Sequence, residues 1–282
     1  MQTIKTKQQV QNTVKSWKQA GKTVALVPTM GNLHDGHLKL VDYALQHADK
    51  VVVSIFVNPS QFGENEDIDN YPRTLDRDSS QLAERQADLL FAPEVAEIYA
   101  ENSKFETRVT VPGLSDILCG EFRPGHFEGV TTVVAKLFNI VQPDVAVFGE
   151  KDFQQLFLIR KMVVDLDFPV KVMGVETTRE VDGLAMSSRN SYLSETERKL
   201  APVLHQTLQS VSGNLLDTVV NFREQEQYAA KIIENSGLLV EYVSIRRVTD
   251  LQQANTGDRE LVILAAVKCG KARLIDNITI NI

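Results

Sequence analysis

Short, nearly continuous apolar runs recur along the first two thirds of the chain. They are Thr23–Val27, Val51–Val57, Asp88–Ala92, Asp144–Phe148 and Val170–Val175. Runs this short and this rich in β-branched residues predict strands covered on both faces, as in a parallel sheet. Between them lie segments with helical spacing of apolar positions: Leu38–Ala48, Leu75–Ala87, Val130–Val141 and Phe153–Leu166. A polar amphipathic helix precedes the first run. Strands alternating with helices predict an α/β fold with a doubly wound parallel sheet, whose ligands bind beyond the carboxyl ends of the strands.

The rhythm changes after about Glu180. Two helical stretches follow, Ser194–Ser212 and Thr218–Ser236, and then three strand-like runs, Val240–Val248, Glu260–Val267 and Arg273–Ile280. This order predicts a smaller C-terminal α+β domain with an antiparallel sheet. The boundary falls near Val181–Gly183, giving domains of 1–180 and 181–282. No internal repeat or low-complexity segment interrupts the pattern.

Composition changes this picture little. The 282 residues, 43% hydrophobic and 24% charged, are ordinary for a globular protein. A net charge of −7 argues against a nucleic-acid partner, which needs a basic surface to neutralise phosphates. The two cysteines, Cys119 and Cys269, are far apart and form no CxxC, which excludes a disulfide framework and a four-cysteine metal site. No apolar stretch suits a signal peptide or a membrane span, so the expectation is a cytoplasmic protein without a membrane partner.

Four segments carry candidate chemistry, three of them at strand ends and one, Ala185–Asn190, where the two domains meet. Pro28–His37 runs from the first strand into a helix and places His34 and His37 three apart at the helix start, where N–H groups and the dipole favour an anion. Two imidazoles there can donate to phosphate, and Gly31 and Gly36 let backbone approach a ligand. The same pair can simply cap a helix, and a zinc site would need a third ligand that is not evident. In Phe148–Gln155, Lys151 sits in a first helical turn, an unfavourable place for a cation unless an anion binds. Asp152 beside it could accept from ribose hydroxyls or hold water around magnesium; an exposed Lys–Asp pair on a turn is the plainer alternative. Ala185–Asn190 offers Ser187, Ser188 and Arg189 as directed donors to polyphosphate, or else an ordinary N-cap. Val57–Phe62 supplies Asn58 and Gln61, uncharged groups suited to a hydroxy-acid, or a plain strand-to-loop turn.

The same segments resemble a known family. His34-Asp-Gly-His37 is similar to the HxGH signature of the nucleotidyltransferase superfamily, and Met186–Arg189 to its divergent KMSKS element. PTMGNLHDGH, VSIFVNP, YPRT, RPGHFEGV, FGEKDFQQL, DGLAMSSRN and ARLIDN follow the order found in the pantothenate synthetase (pantoate–β-alanine ligase) family, over the whole chain. The resemblance implies a Rossmann-like sheet domain with a C-terminal lid, a homodimer, ATP as substrate with Mg2+, and pantoate and β-alanine as the other substrates. It implies an ATP site of Met30, Gly31, Asn32, Leu33, His34, Asp35, Gly36, His37, Gly149, Glu150, Lys151, Asp152, Thr178, Met186, Ser187, Ser188 and Arg189. Of these, His37, His34, Lys151 and Arg189 would act in catalysis. Gln61 and Gln155, supported by Asn58, would hold pantoate, and no protein ligand to the metal is implied. Ser60 departs from the family, which usually has methionine there.

Overall fold

The computed structural model describes residues 1–63, 66, 68–99, 107–217 and 221–282. The chain opens with β1 (Gln2–Ile4), α1 (Lys7–Gln19), β2 (Val24–Thr29), α2 (Asp35–Leu45), β3 (Lys50–Ile55), α3 (Leu75–Glu84) and β4 (Leu89–Phe91). Two short helices, α4 (Val95–Ile98) and α5 (Cys119–Phe122), precede α6 (His126–Val141), β5 (Val145–Gly149), α7 (Phe153–Asp165) and β6 (Lys171–Val175). Then come α8 (Glu195–Leu200), α9 (Val203–Asp217), α10 (Phe222–Asn235), β7 (Leu239–Arg247), β8 (Glu260–Cys269) and β9 (Ala272–Asn281).

The first six strands form one parallel sheet in the order β1-β4-β3-β2-β5-β6. Side chains alternate across it, and the alternation sorts them into two cores. Val24, Leu26, Val52, Ala146 and Phe148 face a cluster completed by α1, α6 and α7. Ala25, Val27, Val51, Val53, Val145 and Val147 face the opposite cluster with Leu38, Val41 and Ala44 of α2 and Leu82 of α3. The chain moves outward from β2 through β3 to β4, then returns to place β5 on the other side of β2. This reversal is the topological switch point, so the loops leaving β2 and β5 flank the crevice where such sheets bind ligands.

The strands predicted from the sequence correspond to β2 through β9, and β1 was not among them. Its three residues bury only Ile4, too little to leave a periodic signal. The predicted helix Ser194–Ser212 is two helices, because Pro202 cannot continue the hydrogen-bonding of α8, and α9 restarts just after it. The predicted helix Thr218–Ser236 corresponds to α10; residues 218–220 lie outside the described residues.

The chain divides into two compact units. One comprises Met1–Glu150 and Gln155–Glu176, the other Lys151–Gln154 and Thr177–Ile282. In the second unit β7, β8 and β9 form an antiparallel sheet. Its inward residues Ile245, Leu261, Ile263, Ala265, Val267 and Leu274 pack with Leu204, Leu208 and Val211 of α9 and Ala229 and Ile233 of α10. Among the described residues, no helix is long and apolar enough to cross a membrane.

Candidate active site

On the first unit, the loop from β2 to α2 is shaped by a buried carboxylate. Asp78 of α3, with no solvent exposure, accepts from the backbone N–H groups of Asn32 at 2.8 Å and Leu33 at 3.0 Å, and from the Thr74 hydroxyl at 3.0 Å. Arg77 donates to the Leu33 carbonyl at 2.7 Å. The turn needs a positive φ of 81° at Gly31, and a Cβ there would lie 3.0 Å from Ile55 and 3.2 Å from the Asp78 carboxylate. Only glycine meets both demands without strain.

The loop delivers His34 and His37 to the start of α2. His34 is the N-cap in extended conformation rather than a member of the helix, and His37 is the third helical residue. Their rings nevertheless meet, with centroids 4.1 Å apart. His34 Nδ1 accepts from the Gly36 N–H at 3.1 Å, and His37 Nδ1 accepts from the His34 N–H at 3.4 Å. A backbone N–H can only donate, so each Nδ1 is the unprotonated nitrogen and each ring carries its proton on Nε2. Capping and donation are therefore complementary: the backbone occupies one nitrogen and makes the other a donor.

A second constellation of this unit follows β3. Asn58 is 1% exposed and Gln61 8%. The Asn58 Oδ1 accepts from Ser60 N–H at 3.3 Å, the Ser60 hydroxyl at 2.9 Å and the Tyr99 hydroxyl at 2.8 Å. Its Nδ2 donates to the Gly129 carbonyl at 3.1 Å and to Gln61 Oε1 at 3.0 Å. Gln61 Nε2 lies 3.1 Å from the sulfur of Met30, the residue that opens the β2–α2 loop. The Gln61 carbonyl accepts from His126 Nδ1 at 2.8 Å. Arg123 donates to His126 Nε2 at 2.9 Å, which places the His126 proton on Nδ1, and also pairs with Glu66 at 2.5 and 2.6 Å. Burial raises the Glu66 carboxyl, but the Arg123 guanidinium outweighs it and holds the group below its ordinary value. Gln155, half-buried at the start of α7, has no hydrogen bond to Asn58 or Gln61 among the described residues.

On the second unit, Lys151 and Ser187 line one pocket together with Ala185, Asn190, His205 and Asp276. Met186 N–H donates to the Thr178 carbonyl at 2.9 Å, and Arg179 bridges to Ala185, so a tight hairpin presents Met186–Arg189. Ser187 caps the following turn by accepting from Arg189 N–H at 3.3 Å. Beneath the hairpin, Arg179 forms a two-point pair with Asp276 at 2.7 and 2.9 Å, and His205 Nδ1 approaches the same carboxylate at 3.1 Å. Burial pushes the Asp276 carboxyl up, yet hydrogen bonds from His205 and Arg179 together with their charges leave it below the usual carboxylate range. Asn277 donates to the Lys151 carbonyl at 2.9 Å.

The sequence-predicted residues thus form three groups: His34 with His37 behind Met30–Leu33, Asn58 with Gln61, and Lys151 with Thr178 and Met186–Arg189. Gly149 ends β5 at the switch point, Glu150 and Asp152 begin and end the short 3-10 turn that follows it, and Asp35 and Gly36 lie in the first turn of α2. Sequence reasoning missed the supports: Asp78, Tyr99, Arg123, His126, Arg179, His205, Asp276 and Asn277. The YPRT, RPGH and LIDN runs around several of them offered a signal, but a buried partner is recognised only once the chain is folded.

Comparison with known proteins follows the same lines. The model of the family described as Pantoate-beta-alanine ligase matches residues 2–279. A relative named Pantothenate synthetase from Alcanivorax borkumensis is 52% identical over 282 residues, covering all of this chain and 99% of its own length. The crystal structure of Pantothenate Synthetase from Thermus thermophilus superposes with a TM-score of 0.92 at 44% identity, over 99% of both chains. Pantoate-beta-alanine Ligase from Francisella tularensis, complexed with Beta-gamma ATP and Beta-alanine, gives 0.83 at 34% identity over 99% and 97%.

Proposed function

The chain belongs to the pantoate-beta-alanine ligase family and is a ligase, and from that premise we propose that it joins pantoate to β-alanine through a pantoyl-adenylate. In the first half-reaction the pantoate carboxylate attacks the α-phosphorus of ATP, and pyrophosphate leaves with the bonding electrons. In the second, the β-alanine amine attacks the adenylate carbonyl, AMP leaves, and the nitrogen loses a proton to give the amide. A carboxylate is already a nucleophile, so the protein's work is to position the reactants and stabilise the charge that develops on the phosphate.

The observation that carries this reading is the paired imidazoles at the start of α2, each held with Nε2 protonated by a backbone N–H on Nδ1. Two N–H donors beside a helix N-terminus suit a phosphate whose negative charge grows during attack. Lys151, Ser187, Ser188 and Arg189 would donate to the polyphosphate, with Met30–Leu33, Gly149, Glu150, Thr178 and Met186 lining the nucleotide. Gln61 and Gln155 would hold pantoate by uncharged hydrogen bonds, with Asn58 supporting Gln61. A mixed anhydride hydrolyses readily, so water must be excluded between the two steps.

Magnesium belongs to this reading as the counter-ion of the triphosphate. Among the described residues, no group of three His, Cys, Asp or Glu side chains could cage a metal. Magnesium is a small hard cation that keeps several waters and takes phosphate oxygens as ligands, so it needs no such cage. Exposed Asp152 would hold one of those waters. When bound, the ion would neutralise charge on the triphosphate. A homodimer belongs to the same reading, and sedimentation would report twice the 31.5 kDa chain mass.

The deciding experiment supplies ATP and pantoate with and without β-alanine, following pyrophosphate, AMP and amide. Pyrophosphate without β-alanine, with AMP and amide appearing only on its addition, is the expected result. A stable nucleotide-containing product would instead mark a nucleotidyltransferase that stops after one step, and no reaction with pantoate would overturn the assignment.

A further inference from the structure

We infer that Tyr99 and Ser60 are positioning residues that, through Asn58, orient the amide of Gln61 so that its NH2 faces the hydroxy-acid and recognises an acceptor oxygen. The inference rests on the reading of Gln61 as a pantoate ligand given above. The two ends of an amide side chain differ only in hydrogen-bonding character, so their orientation must be settled by neighbours of known polarity. Asn58 has such neighbours on both edges. Ser60 N–H can only donate, and it meets Oδ1 at 3.3 Å; the Gly129 carbonyl can only accept, and it meets Nδ2 at 3.1 Å.

With Asn58 settled, Gln61 follows. Asn58 Nδ2 donates to Gln61 Oε1 at 3.0 Å, which leaves Nε2 as the other end of the Gln61 amide, 3.1 Å from the Met30 sulfur. A thioether is a weak acceptor, so this NH2 retains donor capacity for a carboxylate or hydroxyl oxygen arriving beside the β2–α2 loop. The Gln61 main chain is fixed as well, because His126 Nδ1 donates to its carbonyl at 2.8 Å.

The two hydroxyls complete the relay. Tyr99 donates to Asn58 Oδ1 at 2.8 Å, the Ser60 hydroxyl does so at 2.9 Å, and the hydroxyls lie 3.0 Å from each other. Asn58 Oδ1 is thereby confined by three partners and cannot exchange places with Nδ2 without facing the Ser60 N–H with a donor. Ser60 is the position at which the chain departs from the methionine expected by resemblance, and here it supplies a hydroxyl that methionine lacks.

The test is steady-state kinetics on Tyr99→Phe, Ser60→Ala, their double variant, Gln61→Ala and Gln61→Glu. One neutral hydrogen bond of ordinary net strength corresponds to about fivefold in binding. The KM for pantoate should therefore rise about fivefold in Tyr99→Phe and further in the double variant, with kcat, KM for ATP and KM for β-alanine within about twofold. A merely structural contribution would lower Tm and the active fraction without singling out pantoate. In Gln61→Glu the outward donor becomes an anionic oxygen, so pantoate binding should weaken by about a hundredfold or more, beyond Gln61→Ala. Wild-type pantoate KM in Gln61→Glu would mean that the outward atom is an acceptor and would overturn the orientation. Unchanged pantoate KM in both Ser60→Ala and the double variant, with Gln61→Ala impaired, would overturn the relay alone. Unchanged pantoate KM in Gln61→Ala would overturn the hydroxy-acid site itself, and the relay with it.

Discussion

His34 shows how one residue can serve the backbone and a ligand together. Its Nδ1 caps α2 and its Nε2 carries the proton that a phosphate would use. The two tasks separate in His34→Asn, since asparagine is among the best N-caps but offers no second donor in the imidazole's place. We expect Tm to hold within about 1 °C, as a retained cap implies, while turnover falls on the order of 100-fold, the usual cost of losing a directed donor to developing charge. Full activity in His34→Asn would show that capping is the histidine's whole contribution. His37→Ala and Lys151→Ala should each lose a similar factor with the circular dichroism unchanged. These three residues were legible from the sequence because their position, just past a strand and at a helix start, is a chemical statement in itself. Asp78 was not. Read along the chain it is one acid in a polar helix, and only the fold shows it gripping Asn32 and Leu33.

At the scale of elements, a strict constraint beside the site is the approach of α6 to the turn Pro59–Gln61. A Cβ on Gly129 would lie 2.3 Å from the Ser60 carbonyl oxygen and 2.7 Å from Gln61 Cα, both backbone atoms that cannot rotate away. The Gly129 carbonyl is also the acceptor that settles Asn58. Gly129→Ala must push helix and turn apart, so it should cost about 1–3 kcal/mol of stability, as overpacking does, and raise the KM for pantoate more than that for ATP. Thermal unfolding and paired KM measurements check both parts; an unperturbed pantoate KM would show that the turn tolerates the shift. Most elements were legible because their apolar period matches their geometry, as in β2, where alternate residues serve opposite cores. Contacts such as the one at Gly129 leave no period. The glycine in FEGV signals close approach only after its partner, 69 residues earlier in the chain, is known.

For the molecule as a whole, the change from strand–helix alternation to helices followed by antiparallel strands was visible in the sequence, and each compact unit has its own apolar core. The grouping of Lys151–Gln154 with the later residues was not visible, because that segment is continuous with β5 and α7 along the chain. It is joined to β9 by the hydrogen bond from Asn277 to the Lys151 carbonyl. The neighbouring Asp276 gives the second unit a distinct dependence on acid. Its carboxyl lies below the usual range when folded, whereas an unfolded aspartate titrates near ~3.9. The folded state therefore binds fewer protons, and the stability this contributes is fully present above about pH 4 and is lost as pH falls through the depressed folded value. Asp276→Asn removes the charge opposite Arg179, which is largely buried, and should cost roughly 3 kcal/mol at pH 7. At a pH below the folded value the wild-type carboxyl is itself neutral, so the two proteins should converge there. Denaturant titrations of both between pH 7 and pH 3 should show the difference narrowing below about pH 4, and hydrogen exchange should place the extra opening of Asp276→Asn in α9 and the β7–β9 sheet. A stability difference that stays constant across this range would mean that the Asp276 charge contributes nothing, and that the asparagine acts only through shape.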